Sequence, residues 1–226
     1  MDQLGQLACL RVGRRRERRF RRADLLAFME EQPAGGVTRL GDHKSSATGH
    51  TSIAGLEVAH GTHLCGFYGS DAGRGKLAAA FLADGLGPGN VCYLVTEPGT
   101  RKATLDRLRR ARPSLREDVD AGRLVVSEYA ESARAQWEYF EKQLLGATRA
   151  GAHSLRVVGD LRGLSKKLSP GALIEYEEGY EERIARRFPV VTLCQYDVRV
   201  FSGRGVIDAL GCHADAFRYP VDRLLA

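Results

Sequence analysis

Short apolar runs alternate with helical patterns over most of the chain. The runs are five to eight residues long and rich in Val, Leu, Tyr and Cys, which is typical of strands buried on both faces of a sheet. The segments between them place apolar residues at helical spacing, as Leu77, Phe81 and Leu82 do. The predicted strands are residues 63–69, 91–96, 123–128, 155–159 and 190–197, with a short strand near 217–219.

Strands that alternate with helices require crossover connections, and such connections build parallel sheets. We therefore predict an α/β fold with three layers, Rossmann-like or RecA-like. Its sheet should be mostly parallel, with five or more strands and helices on both faces. In sheets of this kind the ligand crevice lies outside the carboxyl ends of the strands. We expect the polar motifs that follow the strands to gather at one rim and form a binding pocket.

Composition divides the chain into three zones. Residues 1–32 hold an arginine-rich segment followed by a short amphipathic helical pattern over 23–30. Residues 33–56 are rich in Gly, Ser, Thr and His without a sustained apolar period, which predicts a flexible linker. Residues 57–226 form the globular body, where all the predicted strands lie.

Most of the positive charge belongs to one short segment. Residues 11–22 contain eight arginines and one glutamate, whereas the whole chain has a net charge of only +6, so the remainder is nearly neutral. A dense basic segment suits contact with phosphates, because each neutralised phosphate releases condensed counterions. The predicted DNA-contacting residues are Arg11, Arg14, Arg15, Arg16, Arg18, Arg19, Arg21 and Arg22. A basic tail that is merely solvated is the alternative.

Several protein classes do not fit the sequence. The five cysteines are scattered and form no C-x-x-C pair, unlike a disulfide framework or a zinc ribbon. The apolar stretches fall far short of the roughly 18 residues that a membrane helix needs. No secretory signal pattern follows Met1. We predict a cytoplasmic protein without a membrane partner.

The segment after the first predicted strand resembles a phosphate-binding loop only in part. Gly69 to Lys76 is glycine-rich and leads into a helix, but five residues rather than four separate Gly69 from Gly75. Leu77 also stands where a Ser or Thr hydroxyl would hold Mg²⁺. A degenerate NTPase scaffold is therefore an alternative, and a working NTPase is disfavoured.

Histidine and cysteine side chains form a second candidate for chemistry. His63 and Cys65 share one face of a strand, and Cys194 and His213 would join them if the first and fifth strands were close. Zinc accepts such a set, and a thiol with a base is also the start of nucleophilic catalysis. Buried cysteine is more often a small hydrophobe. We assign no metal ligand and no catalytic residue, and we predict that the protein is not an enzyme.

The N-terminal zone resembles the closing part of an excisionase/MerR-like winged helix-turn-helix. The resemblance covers Gly5 to Glu30, with the arginine-rich wing and the helix D-L-L-A-F. It implies that the wing approaches the DNA backbone. Only about ten residues precede the wing here, so we expect the recognition helix to be encoded upstream.

The body resembles the DcmR-type sensory domain, called MEDS. Six motifs in order carry the resemblance: residues 60–68, 81–95, 155–160, the E-Y-E of 175–177, residues 193–197 and the final Cys-His pair 212–213. It implies an α/β sensor of small organic effectors fused to a DNA-binding segment. The acidic residue that the resemblance places at the end of the fourth strand is Asp160 in this sequence. The candidate ligand-binding residues are His63, Cys65, Tyr68, Arg156, Asp160, Glu175, Cys194, Tyr196, Asp197 and His213.

The sequence therefore favours a transcription regulator that senses a small effector through residues 57–226 and binds DNA through its N-terminal zone. We expect a homodimer by analogy with operator-binding proteins. The sequence names no cofactor and no particular effector. An interaction module of a signalling system that does not bind DNA is the alternative from a different class.

Overall fold

The chain divides into two units, Met1–Gly41 and Asp42–Ala226. The computed structural model describes residues 9–12, 17–20, 49–53, 56–213 and 215–216. In the first unit, strands β1 (Cys9–Val12) and β2 (Glu17–Phe20) pair antiparallel, with Arg11 opposite Arg18. The predicted helix over 23–30 lies outside the described residues. So do five of the predicted DNA-contacting residues, which are Arg14, Arg15, Arg16, Arg21 and Arg22.

The second unit is built on a parallel sheet of six strands. Their order across the sheet is β10-β5-β9-β8-β6-β7, and every neighbouring pair is parallel. The predicted fold class is confirmed. The six strands are β5 (His63–Tyr68), β6 (Asn90–Val95), β7 (Leu124–Ser127), β8 (Ser154–Asp160), β9 (Val190–Asp197) and β10 (Asp215–Ala216).

Helices connect these strands, and serine hydroxyls begin four of them. Ser70, Ser132, Ser169 and Ser202 each accept a hydrogen bond from the backbone N–H three residues further on, which satisfies a group at the helix start. Within the described parts of the chain, no helix combines the length and apolar character needed to cross a membrane. The helices are α1 (Asp71–Ala83), α2 (Pro98–Ala111), α3 (Leu115–Asp120), α4 (Ala133–Arg149), α5 (Leu161–Ser165), α6 (Pro170–Tyr180), a π-helical turn (Glu181–Ala185) and α7 (Gly203–Cys212).

Each face of the sheet carries its own hydrophobic core. On one face Phe81 and Leu108, from α1 and α2, pack with strand residues such as Leu193. On the other face α4, α6, the π-helical turn and α7 cover the sheet, and Phe140 and Tyr180 pack there. Strands β5, β6, β8 and β9 are largely buried on both sides, which explains why their sequences are continuous apolar runs.

A short hairpin occupies part of the predicted linker. Strands β3 (His50–Ile53) and β4 (Leu56–Ala59) pair antiparallel, although residues 33–56 were expected to lack regular structure. Ile53 and Val58 are buried in the core that contains α1. The difference arises because each strand is only four residues long, so its alternation is too short to stand out in the sequence.

Candidate functional site

Two neighbouring strands bring a histidine and a cysteine together. Strands β5 and β9 are parallel, with His63 opposite Thr192 and Cys65 opposite Cys194. Alternate residues of a strand share a face, so His63 and Cys194 lie on the same side of the sheet. The Nε2 atom of His63 is 3.2 Å from the Sγ atom of Cys194, and both side chains are buried.

Helix α6 supplies a carboxylate to this pair. Its buried positions, Leu173, Tyr176, Glu177 and Tyr180, follow helical spacing and face the sheet. The Oε2 atom of Glu177 lies 3.4 Å from His63 Nε2 and 3.5 Å from Cys194 Sγ. Its other oxygen, Oε1, accepts a hydrogen bond of 2.5 Å from the Tyr196 hydroxyl. The carboxylate therefore joins α6 to β5 and β9.

The π-helical turn adds a second carboxylate. It follows α6 directly, and its first residue, Glu181, places Oε2 3.4 Å from His63 Nδ1. The other oxygen of Glu181 accepts a hydrogen bond of 3.1 Å from Arg186 Nε. Single π-helical turns occur frequently at functional sites. Here the turn leaves both ring nitrogens of His63 beside a carboxylate.

A second histidine completes the group from the end of α7. His213 donates a hydrogen bond of 2.6 Å from Nδ1 to the carbonyl oxygen of Ala209. That bond leaves Nε2 as the ring nitrogen without a proton, 3.9 Å from Glu177 Oε2. The rings of His63 and His213 have centroids 4.2 Å apart. We call His63, Glu177, Cys194 and His213 the buried cluster; their ligand atoms all lie within 4.8 Å of one another.

Charge in the buried cluster is set by competition between burial and close partners. Burial disfavours the imidazolium of His63, but hydrogen bonds with Glu177 and Glu181 outweigh it and raise its pKa to about 9. Burial acts against the Glu177 carboxylate as well, yet the two histidines and Tyr196 lower its pKa to about 2. Burial and the neighbouring His63 lower the pKa of His213 to about 4. Without a bound ion, His63 and Glu177 are thus a charged pair and His213 is neutral.

A cavity of about 380 Å³ opens beside the buried cluster. It lies between the α5–α6 segment and α7, and Glu177 and Tyr196 contribute to its wall. The cavity is thus in contact with a member of the buried cluster. Its apolar lining comes from Leu168, Leu173, Ile174, Val200, Phe201 and Ala209.

Comparison with known proteins identifies the family of the chain. The family model described as "MEthanogen/methylotroph, DcmR Sensory domain" (MEDS) matches residues 62–214. The chain belongs to the MEDS family. It is 39% identical over 224 residues to the transcriptional repressor DcmR of Methylorubrum extorquens (strain DSM 6343 / CIP 106787 / DM4), covering 96% of this chain and 83% of the repressor. A solved KaiC-like protein from Pyrococcus horikoshii OT3 is 18% identical, with a TM-score of 0.46 over 68% of each chain.

The candidate ligand-binding residues of the MEDS domain divide between the two faces of the sheet. His63, Cys194, Tyr196 and His213 gather on the face covered by α6 and α7. Tyr68, Asp160 and Asp197 lie on the other face, because their positions alternate with the first set along β5, β8 and β9. The expectation that all of them share one pocket is wrong.

The second set forms an ion-pair network at the carboxyl edge of the sheet. The Tyr68 hydroxyl donates a hydrogen bond of 2.9 Å to Asp160 Oδ1. Arg74 Nη1 lies 3.7 Å from Asp160 Oδ2. Arg199 donates bonds of 2.8 Å and 2.7 Å to the two oxygens of Asp197. These side chains direct most of their polar groups at one another, although Asp160 Oδ2 and Arg74 Nε have no hydrogen-bond partner among the described residues.

Three further candidates lie apart from the buried cluster. Arg156 lies on the α1 face, where it donates hydrogen bonds to the carbonyl oxygens of Phe81 and Ser52. Glu175 is exposed on α6. Cys65 is buried on the same face as the buried cluster, within its hydrophobic core, but its thiol is not one of the four grouped ligand atoms.

Glu175 was the predicted ligand-binding glutamate, whereas the structure places Glu177 in the buried cluster. Both belong to the E-Y-E motif, and the helical spacing of Leu173, Tyr176 and Tyr180 could have decided between them. Those three residues define the buried face, on which Glu177 lies. Glu181 was missed because the π-helical turn changes the spacing after Tyr180.

The glycine-rich segment after β5 is helical rather than an open phosphate loop. Ser70 is the N-cap of α1, its Oγ accepts from the Gly73 N–H at 3.0 Å, and α1 already includes Gly73 and Gly75. A P-loop instead wraps backbone N–H groups around a phosphate before its helix begins. Asp160, at the end of β8, accepts a bond from the Arg162 N–H and begins α5.

Proposed function

We propose that this chain is a transcription regulator whose MEDS domain binds a small organic effector. The family is a sensory domain, and the relative that is 39% identical over 96% of this chain is a transcriptional repressor. The proposal gives the MEDS domain a binding role rather than a catalytic one. A regulator of this kind acts in the cytoplasm, and a homodimer remains our prediction.

The observation that carries the proposal is the cavity between the α5–α6 segment and α7. Its volume of about 380 Å³ lies near the lower end of the roughly 300–1,000 Å³ typical of small-molecule sites. Such sites combine an apolar lining with a few polar groups that fix orientation. Glu177 and Tyr196 are buried polar groups of this wall, which also includes the polar residues Ser165, Ser202, Arg204 and Asp208. The effector we propose is therefore small and mainly apolar, with one group that hydrogen-bonds to this pair.

The DNA contact that we propose uses the arginines of the first unit. Arg11 stands directly opposite Arg18 on the paired strands, and Arg19 is adjacent. Like charges in cross-strand positions destabilise a hairpin unless an anion neutralises them. DNA phosphates are such anions. Effector binding would regulate this contact only if the effector binds one of two conformations more tightly.

Two matched variants test the effector site. Ala209→Phe places a large side chain in the cavity wall, whereas Ala135→Phe adds the same group at an exposed position of α4. We would screen small alcohols, ketones, amines and aromatic compounds by thermal denaturation. We expect compounds that raise the Tm of the wild type and of Ala135→Phe but not that of Ala209→Phe. Stabilisation that is equal in both variants would refute the cavity as the effector site.

The DNA contact has its own assay. We would measure mobility shifts of DNA flanking the coding region as a function of salt. Replacing Arg11, Arg18 and Arg19 with Gln should flatten the slope of log K against log salt by about 2.7, because each phosphate contact contributes about 0.9. Replacing three exposed MEDS-domain arginines removes the same charge and should leave the slope unchanged. An equal effect of both triple variants would count against the N-terminal contact. The control residues are Arg109, Arg110 and Arg116.

A further inference from the structure

We propose that His63, Glu177, Cys194 and His213 bind one divalent transition-metal ion of the zinc type. This site goes beyond the proposed function and does not depend on it. Imidazole nitrogen, thiolate sulfur and carboxylate oxygen are the ligands that zinc takes in proteins. The four residues come from β5, α6, β9 and the end of α7, so the fold, not local sequence spacing, assembles them.

Three of the distances between the ligand atoms, those among His63, Glu177 and Cys194, are close to what a tetrahedral ion requires. Zinc bond lengths of about 2.0–2.3 Å require neighbouring ligand atoms about 3.3–3.6 Å apart. His63 Nε2 is 3.2 Å from Cys194 Sγ and 3.4 Å from Glu177 Oε2. Cys194 Sγ is 3.5 Å from the same oxygen, and His213 Nε2 is 3.9 Å from it. The four ligand atoms all lie within 4.8 Å of one another, so an ion at the centre requires His213 Nε2 to move inward by up to about 1 Å, while the other three atoms are already at suitable separations.

The surroundings of the cluster orient its ligands toward the centre. Metal-binding histidines usually donate their other ring N–H to a carbonyl or a carboxylate. His213 Nδ1 donates to the carbonyl of Ala209, and His63 Nδ1 lies 3.4 Å from the carboxylate of Glu181. Tyr196 donates to Oε1 of Glu177, which leaves Oε2 facing the other ligand atoms. Each outer contact therefore points one ligand atom inward.

Hydrogen bonding alone leaves one of these atoms unsatisfied. His213 Nε2 is buried, and within the described residues it has no hydrogen-bond donor. A buried acceptor without a partner is disfavoured, and such atoms call for a bound species. A metal ion satisfies Nε2 directly. The carboxylate of Glu177 and the thiolate of Cys194 would also neutralise a divalent ion, which buried sites require.

A closed set of four protein ligands is typical of structural metal sites. Here the ion would connect the end of α7 to the sheet and to α6, the elements that enclose the cavity. Glu177 contributes to both the cluster and the cavity wall. We infer that metal binding fixes the position of α7 and with it the shape of the cavity.

Metal content and cobalt substitution test the site directly. The full chain, purified without a histidine tag, would be stripped with dipicolinate and reconstituted with Zn²⁺ or Co²⁺. We expect one ion per chain by mass spectrometry and a thiolate-to-cobalt charge-transfer band. Cys194→Ser and His213→Gln should each weaken Co²⁺ binding by more than about 100-fold, because changes in outer-shell partners alone cost 10–100-fold.

Matched variants separate a specific site from general thiol or histidine binding. Cys65→Ser changes a buried cysteine of the same face, and His153→Gln changes an exposed histidine. Both should retain wild-type affinity, and a loss in Cys65→Ser would overturn the assigned ligand set. If the ligand variants do not fold, the wild type still decides the question. Absence of stoichiometric metal or of the charge-transfer band would overturn the metal site. The proposal of an effector-binding cavity would still stand, because it is tested separately by the Ala209→Phe variant.

Discussion

Arg156 provides a sharp test of how the structure assigns roles to polar residues. Arg156 was predicted to bind the ligand, whereas in the structure its guanidinium donates hydrogen bonds to α1 and β3, which predicts a stabilising role. Its Nη1 donates a bond of 2.6 Å to the carbonyl of Phe81, near the end of α1, where helix carbonyls lack partners within the helix. Its Nη2 donates bonds of 2.5 Å and 3.0 Å to Ser52 and Thr51 in β3. We would replace this arginine by methionine (Arg156→Met).

The expected loss follows from these contacts. A hydrogen bond that involves a charged group contributes about 1.5–3 kcal/mol, so three of them give roughly 5–9 kcal/mol before costs. Burial of the guanidinium, which also lowers the pKa of Arg156, offsets part of that contribution. Methionine keeps most of the apolar stem but leaves the acceptors without their donor. We expect a net loss of about 3 kcal/mol, comparable to breaking a buried ion pair.

Urea denaturation and thermal unfolding measure this loss. For a chain of this size, about 3 kcal/mol corresponds to a decrease in Tm of about 6–12 °C. The control is Arg116→Met, whose side chain is 93% exposed and which should change stability by less than about 0.5 kcal/mol. A loss below about 1 kcal/mol in Arg156→Met would refute the stabilising role. Loss of effector binding at unchanged stability would instead support the ligand-binding prediction.

Two further substitutions test the packing and the electrostatics. Hydrogen bonds from Arg112 and Arg123 lower the pKa of the buried Asp118 carboxyl. The two ion pairs of Asp118 therefore stabilise the fold above about pH 4, and this stabilisation is lost as the pH falls through the lowered pKa. Asp118→Asn should therefore cost about 2 kcal/mol at pH 7 in urea denaturation and progressively less below pH 4; a pH-independent difference would contradict this. In Gly179→Ala the new Cβ would lie 2.4 Å from Cζ2 of Trp137. Overpacking of about 1–3 kcal/mol should exceed the helix preference for Ala of about 0.5–1 kcal/mol. Fluorescence of this single tryptophan should shift, and a more stable variant with an unchanged spectrum would refute the contact.

The regular part of the fold was predictable because parallel strands buried on both faces leave a strong local signal. The fifth predicted strand, residues 190–197, coincides with β9, and the fourth differs from β8 by one residue at each end. The hairpin β3–β4 left no such signal. Its stability comes from contacts distant in sequence, such as those of Ile53 in the core beneath α1, and no local pattern encodes them.

The site was predictable in its residue types but not in its grouping. Whether His63 and Tyr68 share a pocket depends on strand alternation, and whether His63 meets Cys194 depends on β5 lying beside β9. Strand adjacency of this kind is a property of topology rather than of local sequence. The position of Glu177 could have been predicted, because the apolar residues around it define the buried face of its helix.

The two faces of the sheet differ in the partners that surround their buried polar residues. On the α1 face, Arg156 donates to the carbonyl of Phe81 and Asp160 accepts from Tyr68, although Arg156 Nε and Asp160 Oδ2 have no hydrogen-bond partner among the described residues. On the α7 face, His213 Nε2 has none among the described residues, and the apolar cavity begins at Glu177. Unsatisfied buried polar atoms therefore occur on both faces, but on the α7 face one of them, His213 Nε2, belongs to a group of four potential metal ligands beside a cavity. Because a ligand site needs both convergent polar groups and space to fill, this combination makes the α7 face the one on which we expect ligands to act.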